Sequence, residues 1–283
     1  NFVSNGAIGG AGIYYRNNNT NYYLEDDGVT AGILTTQAIE RINAIGTALK
    51  FLVVNIGETD SAETKALFKA GQKAFIDLIL NGTHLTQVVL IPHGRRTNNS
   101  GSDANYQKWL EVYQELASEN SNYHISPATY DCAMEDETGA TDSVHINNAG
   151  HIKNAPRVIR KGLDVIGETV TGGLDGAAMT GATIATATIT VTIAHDTGTD
   201  FTPTTAIENF RVFDTGGVST EYTINSAVRA SATTITIELS ATPSGSVDVY
   251  YGYGVMYDVD PAQVIVDNST QALPLQQGVV TTP

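Results

Sequence analysis

From residue 35 to about 168 the apolar positions switch between two periods. In TTQAIERINAIGTALK (35–50), Ala38, Ile42, Ile45 and Leu49 recur at helical spacing, and FLVVNI (51–56) follows as an unbroken apolar run of strand length. SAETKALFKAGQKAFIDLIL (61–80) predicts a second helix with Leu67, Phe68, Phe75, Ile76 and Ile79 along one side. Asp60 stands as its candidate N-cap, with Glu63 three residues on at capping-box spacing. QVVLIP (87–92) reads as a buried strand, ANYQKWLEVYQELASE (104–119) as a helix and YHIS (123–126) as a short strand. A last helical stretch, NAGHIKNAPRVIRKGLDVIG, is expected to be disturbed at Pro156. Strands that are apolar throughout, each separated by a helix, predict a parallel sheet covered on both faces.

Near residue 170 the texture changes. GETVTGGLDGAAMTGA is Gly-rich and weakly patterned, which marks 169–185 as a linker. Beyond it, Thr, Val, Ile and Tyr alternate in ATITVTIA (187–194), NFRVFD (209–214), TEYTINSA (220–227), TTITIELS (233–240) and SVDVYYGYG (246–254). The turn signals DTG, TGG and PSG separate these runs, so 186–283 is expected to form an antiparallel β-sandwich with an exposed YYGYG. The tail DNSTQALPLQQGVVTTP is expected to dock as an extended strand and then fray.

Composition narrows the function classes. The 283 residues are 41% hydrophobic and 16% charged, which is globular composition, with room for two domains. A net charge of −15 argues against nucleic acid, whose phosphates must be met by clustered Lys and Arg. An acidic surface rich in Asn, Thr and Gly suits an extracellular or saline setting. The one cysteine, Cys132, permits neither an intrachain disulfide nor a multi-cysteine metal site. No run of about 18 apolar residues is present to span a membrane.

In an open parallel sheet, functional groups collect on loops at the carboxyl ends of the strands. Here those loops are SNGAIGGAG (4–12), NIGETD (55–60), the Gly- and Asn-rich PHGRRTNNSGSD from Pro92, and the loop holding Asp142 and His145. An Asp and a His three residues apart can supply the orienting carboxylate and the general base of a hydrolase triad. Alone the spacing is a weak signal, since an Asp before a helix often caps it. Glu58 and Asp60 read as helix caps rather than a metal pair, and His84, His93, His124 and His151 lack mutual ligand spacing. Arg95 and Arg96 read as a surface pair or as partners for an anionic sugar. Tyr14, Tyr15, Tyr22 and Tyr23, in an Asn-rich stretch, suit sugar stacking or an oligomer contact.

Three of these blocks, in order, resemble those of the SGNH (GDSL-like) hydrolases, especially the sialate O-acetylesterase-like carbohydrate esterases. NGAIGGAG fits a strand followed by a Gly-Gly turn. Ile56-Gly57-Glu58-Thr59-Asp60 fits a QGESD or QGETD block at all but its first position. Asp142-Ser143-Val144-His145, with Gly150, fits the DxVH block. The resemblance covers about 1–165 and implies a three-layer α/β/α flavodoxin-like hydrolase domain at 1–168. It further implies an esterase that removes O-acetyl groups from a carbohydrate. His145 would be the base, Asp142 would orient it, and backbone donors near Gly9, Gly10 and Gly57 would hold the oxyanion. Glu58, Thr59, Asp60 and His93 would line the pocket, and neither metal nor cofactor is needed.

Two positions depart from that pattern. The nucleophilic Ser of the family sits in a GDS or GQSN block before the Gly-Gly turn, and no such block stands here. Ser4, in VSNG, echoes it but leaves too little chain before IGETD. The second departure is Ile56, an aliphatic side chain where a Gln could assist the oxyanion hole. A missing first strand would leave buried backbone groups unpaired, so an N-terminal segment or another chain is expected to complete the sheet and bring the Ser. The β-rich half, with DNSTQALPL, resembles modules of phage-encoded esterase-like proteins on tail fibres. The alternative expectation is therefore a non-catalytic structural or receptor-binding virion protein. Acetylated glycan or cell-surface polysaccharide is the expected partner. A homo-oligomer is expected, trimeric if it belongs to a virion, and extracellular or virion localisation follows.

Overall fold

The computed structural model describes residues 11–17, 19–56, 60, 63–92, 95–96, 103–134, 146–215, 220–254, 256–257 and 259–283, with backbone alone at 95–96 and 256–257. The chain divides into two compact units that interleave in sequence. One comprises 1–92, 104–125 and 161–169, and the other 93–103, 126–160 and 170–283.

The elements up to residue 165 are β1 (Gly12–Tyr14), β2 (Tyr22–Leu24), α1 (Ile33–Ile45), β3 (Leu52–Val54), α2 (Lys65–Gly82), β4 (Val88–Leu90), β5 (Arg95–Arg96), α3 (Asp103–Glu119), β6 (Tyr123–Ile125) and α4 (Asn148–Val165). In the first unit β3, β4 and β6 form a parallel sheet in that order, with Leu52 opposite Val88 and Val88 opposite Tyr123. Val88, Val89 and Leu90 are fully buried, as a central strand covered on both faces requires. The strands are shorter than their apolar runs. At the end of β3 the Ile56 carbonyl leaves the ladder and accepts from the Tyr113 hydroxyl and the Gln72 amide instead.

α2 begins at Lys65, four residues later than expected, and Thr64 caps it by accepting the Leu67 N–H at 3.3 Å. Asp60 is thus not the cap, because its carboxylate is engaged with β1. Phe68, Phe75, Ile76 and Ile79 are buried as the stripe predicts, whereas Leu67 is 45% exposed. α1 stops at Ile45, where Gly46 turns the chain with φ of 70°, so Leu49 falls outside it. α4 continues through Pro156. Among the described residues no helix is long and apolar enough to cross a membrane. β1 and β2 pair in parallel. Their tyrosines are therefore not a loop platform: Tyr14 and Tyr23 are buried, and Tyr15 is the most exposed of the four.

The second unit carries β7 (Ala178–Ala185), β8 (Thr188–Ala194), β9 (Phe201–Thr202), β10 (Phe210–Asp214), β11 (Glu221–Tyr222), β12 (Ile224–Ser231), β13 (Thr234–Leu239), β14 (Val247–Tyr251), β15 (Met256–Tyr257), β16 (Val266–Asp267) and β17 (Gly278–Thr281). Two antiparallel four-stranded sheets, β11-β10-β14-β17 and β12-β13-β8-β7, contribute to one hydrophobic core. The stretch 169–185 is not a linker throughout, since β7 occupies its second half and pairs along β8. The single strand expected at 220–227 is two: β11 pairs with β10 and β12 with β13, so the chain changes sheets at Thr223. YYGYG is not exposed. Tyr251 is fully buried, its hydroxyl accepting the Ile265 N–H at 2.7 Å, and Tyr253 is buried beside it. The tail docks as β17 on β14 and stays docked to Thr282, whose hydroxyl oxygen accepts the Val247 N–H at 2.9 Å.

Segments expected in the first domain group with this unit. β5 pairs in parallel with β15, and Tyr130 packs edge-on against Tyr251 with ring centroids 5.8 Å apart.

Candidate active site

Of the expected catalytic, oxyanion and pocket-lining residues, Asp60 is described. Gly9, Gly10, Gly57, Glu58, Thr59, His93, Asp142 and His145 lie outside the described residues, as does Ser4. The described chain on either side of them forms two frames.

The first frame, in the first unit, brackets Gly57, Glu58 and Thr59. On one side the Ile56 carbonyl is held by the Tyr113 hydroxyl at 2.8 Å and by Gln72 Nε2 at 3.1 Å. On the other side stands Asp60, 1% exposed. The Ile13 N–H of β1 donates to both of its oxygens, at 3.0 Å to Oδ1 and 2.9 Å to Oδ2, and the Asn17 amide donates to Oδ1. Burial pushes the Asp60 carboxyl up to about 6, and Glu63 adds to the rise. The donors at Asn17 and Ile13, and Arg16, pull the other way. Asp60 is the expected pocket residue that the structure locates, and it faces backbone and an amide. Among the described residues no cluster of three or more His, Cys, Asp and Glu is placed to hold a metal ion.

The second frame, in the second unit, is the base of the segment that carries Asp142 and His145. The chain leaves that base at Met134 and returns at Ile146, and these two residues form an antiparallel bridge. Asn147 locks the return. Its N–H donates to the Ala133 carbonyl at 2.9 Å, its amide to the Met134 carbonyl at 2.7 Å, and its Oδ1 accepts the Gly150 N–H at 3.0 Å as the N-cap of α4. Gly150 has a steric role. A Cβ there would lie 2.3 Å from Ile146 Cγ2 and 2.4 Å from the Ala133 carbonyl oxygen. Gly150→Ala is expected to destabilise the protein by about 1–3 kcal/mol through overpacking, which outweighs the helix-propensity gain because the clash is partly with backbone. Urea unfolding measures the difference, and a variant as stable as the parent would contradict the close approach.

Deeper in this frame Asp131 is buried and gripped by Arg157 of α4 through two bonds of 2.7 Å, with Lys153 Nζ 2.9 Å from Oδ2. Burial alone would raise the Asp131 carboxyl. The Arg157 and Lys153 contacts outweigh it and hold the group below the usual carboxylate range. Arg157 also donates to the Ala272 carbonyl at 3.0 Å. Sequence reasoning missed Asn17, Asp131, Asn147 and Arg157. Asn147 alone carried a local signal, an Asn directly before a helical stretch. His124, by contrast, lies on β6 with its ring bonded to Gln87, and His84 bonds the Leu49 carbonyl.

No protein-family model matches the chain, and no curated protein matches it. Among solved structures it is similar to a carbohydrate acetylesterase from Xanthomonas citri, at 12% identity and a TM-score of 0.55, over 81% of this chain and 49% of that one. The chain therefore spans about half the length of that enzyme. It is also matched to the N-terminal part of a bacterial S-layer protein at 13% identity over 63% of this chain and 33% of that one, but a TM-score of 0.27 carries no argument. The first likeness shows a distantly shared, esterase-like fold.

Proposed function

We propose that this chain belongs to a carbohydrate O-acetyl esterase of SGNH type, working through a Ser-His-Asp triad whose Ser lies outside these 283 residues. The observation that carries the reading is the fold-level likeness to a carbohydrate acetylesterase, joined to an Asp142-Ser143-Val144-His145 block placed just before α4. The serine hydroxyl attacks the acetyl carbonyl and gives its proton to His145, and Asp142 holds the imidazole in the required tautomer. Backbone N–H groups near Gly9, Gly10 and Gly57 take the oxyanion. Collapse expels the sugar oxygen with the proton from His145. Water, deprotonated by His145, then hydrolyses the acetyl-enzyme to acetate and restores the serine.

In this reading the serine-bearing strand pairs beside β3. Among the described residues β3 pairs with β4 alone, and Val53 on it is 41% exposed. The second reading, a virion protein that keeps the fold without catalysis, is favoured by Ile56, whose side chain has no hydrogen to donate to an oxyanion.

The test is treatment of the full natural protein with a fluorophosphonate, alongside acetate release from O-acetylated polysaccharides. The expected result is acetate release and one phosphonylated serine in a peptide outside residues 1–283. A folded protein that releases no acetate and takes no label would overturn the esterase reading in favour of the structural one.

A further inference from the structure

Asp60 does what no helix cap does: it joins two chain segments that are 47 residues apart in sequence. Its carboxylate takes the first free N–H inside β1 on both oxygens, while Asn17, just beyond β1, closes on Oδ1. Ile13 follows Gly10 by three residues, and Asp60 follows Gly57 by three. We propose that Asp60 is a positioning residue that clamps the chain after Gly10 to the chain after Gly57, and so sets the spacing of the two segments proposed to donate to the oxyanion. This rests on the esterase reading of those donors.

The chemistry of the clamp requires a carboxylate. An amide at this position offers one acceptor oxygen, and its NH₂ would face either the Ile13 N–H or the Asn17 amide, donor against donor. Among the described residues, the charged and titratable groups around Asp60 are Arg16 and Glu63, which pair with each other at 3.1 Å, and the Tyr14 and Tyr23 hydroxyls. None of them donates to the carboxylate, so Ile13 and Asn17 are the donors that the structure assigns to it. Ionisation of so buried a group is costly, and protonation removes one of the acceptor sites on which the clamp depends.

The experiment has two readouts on the full natural protein. The first is the Ile13 amide proton by NMR, whose shift is expected to titrate with a midpoint of about 6 and to stop titrating in Asp60→Asn. The second is hydrolysis of 4-nitrophenyl acetate at pH 8, where Asp60→Asn is expected to lower kcat about 100-fold, the scale of one lost oxyanion contact, with KM within about threefold. Should Asp60→Asn fail to fold, Asn17→Ala keeps the carboxylate and removes one donor, and the Ile13 midpoint should move to higher pH. An Ile13 amide insensitive to pH and to both substitutions overturns the clamp. An active parent whose kcat is unchanged in Asp60→Asn overturns the positioning role alone. An inactive parent with a titrating Ile13 amide overturns the esterase reading and the oxyanion role with it, and leaves the clamp.

Discussion

Replacing His145 by alanine is expected to lower kcat for 4-nitrophenyl acetate by about 10⁴- to 10⁶-fold, the scale seen when a triad loses its base. A serine hydroxyl is a poor nucleophile at neutral pH, and the triad works by removing its proton as the bond to carbon forms. Among the described histidines, His84 and His124 are hydrogen-bonded within the first unit. KM should change by only a few-fold, because the base touches the reacting atoms rather than the sugar. Asp142→Asn should follow with a loss of about 10⁴-fold, since the amide favours the wrong imidazole tautomer. The bonds described at the base of this segment use neither side chain: Met134 bridges Ile146, and Asn147 caps α4. Melting temperature and circular dichroism should therefore match the parent. Steady-state kinetics on the full natural protein, with the rate of fluorophosphonate labelling, give the measurement. Activity unchanged in His145→Ala would remove the triad assignment.

What the sequence disclosed about this frame and what it hid have separate physical causes. β4 and α3 were legible because burial on both faces makes a strand apolar throughout, and one-sided burial gives a helix its stripe. The Asp142 and His145 block is read from residue types at a fixed local spacing, and it lies outside the described residues. Asp60 was misread because a carboxylate before a helix meets the local rule for a cap, while its actual partner, the Ile13 N–H, is remote in sequence. β7 was hidden by the glycines around it, although Thr183, Ile184 and Ala185 already alternate as a strand does. The change of sheet at Thr223 left no mark in the apolar pattern, because β11 and β12 run on with a single residue between them. The Asp131 and Arg157 pair, 26 residues apart, joins an irregular segment to a helix, and no periodicity links the two.

That buried pair supports the largest expected loss of stability. Arg157→Met should cost about 3–5 kcal/mol at pH 7, because it leaves an ionised Asp131 in the interior without its bidentate partner. Lys153 would remain within reach of Oδ2, but its side chain is half exposed and compensates less. The sign of the pH dependence follows from Asp131. In the parent its carboxyl lies below the usual range, so its stabilising contribution is complete above the unfolded value near 4 and is lost as pH falls through the folded value. In Arg157→Met the burial penalty acts with its main opposition gone, the carboxyl rises and protonates in mild acid, and the buried charge disappears. The difference between parent and variant should therefore be larger at pH 7 than at pH 4.5, as read from urea unfolding at the two pH values. A second substitution, Asp131→Leu, should recover much of the loss at pH 7, since the isolated charge and not the missing attraction is the main cost. α4 starts two residues after the bridge at Ile146, so the single variant should also loosen the return of the Asp142 and His145 segment. Esterase activity is then expected to fall at temperatures where the protein is still folded. A variant as stable as the parent, or a difference that grows in acid, would show that Arg157 is not what keeps Asp131 charged.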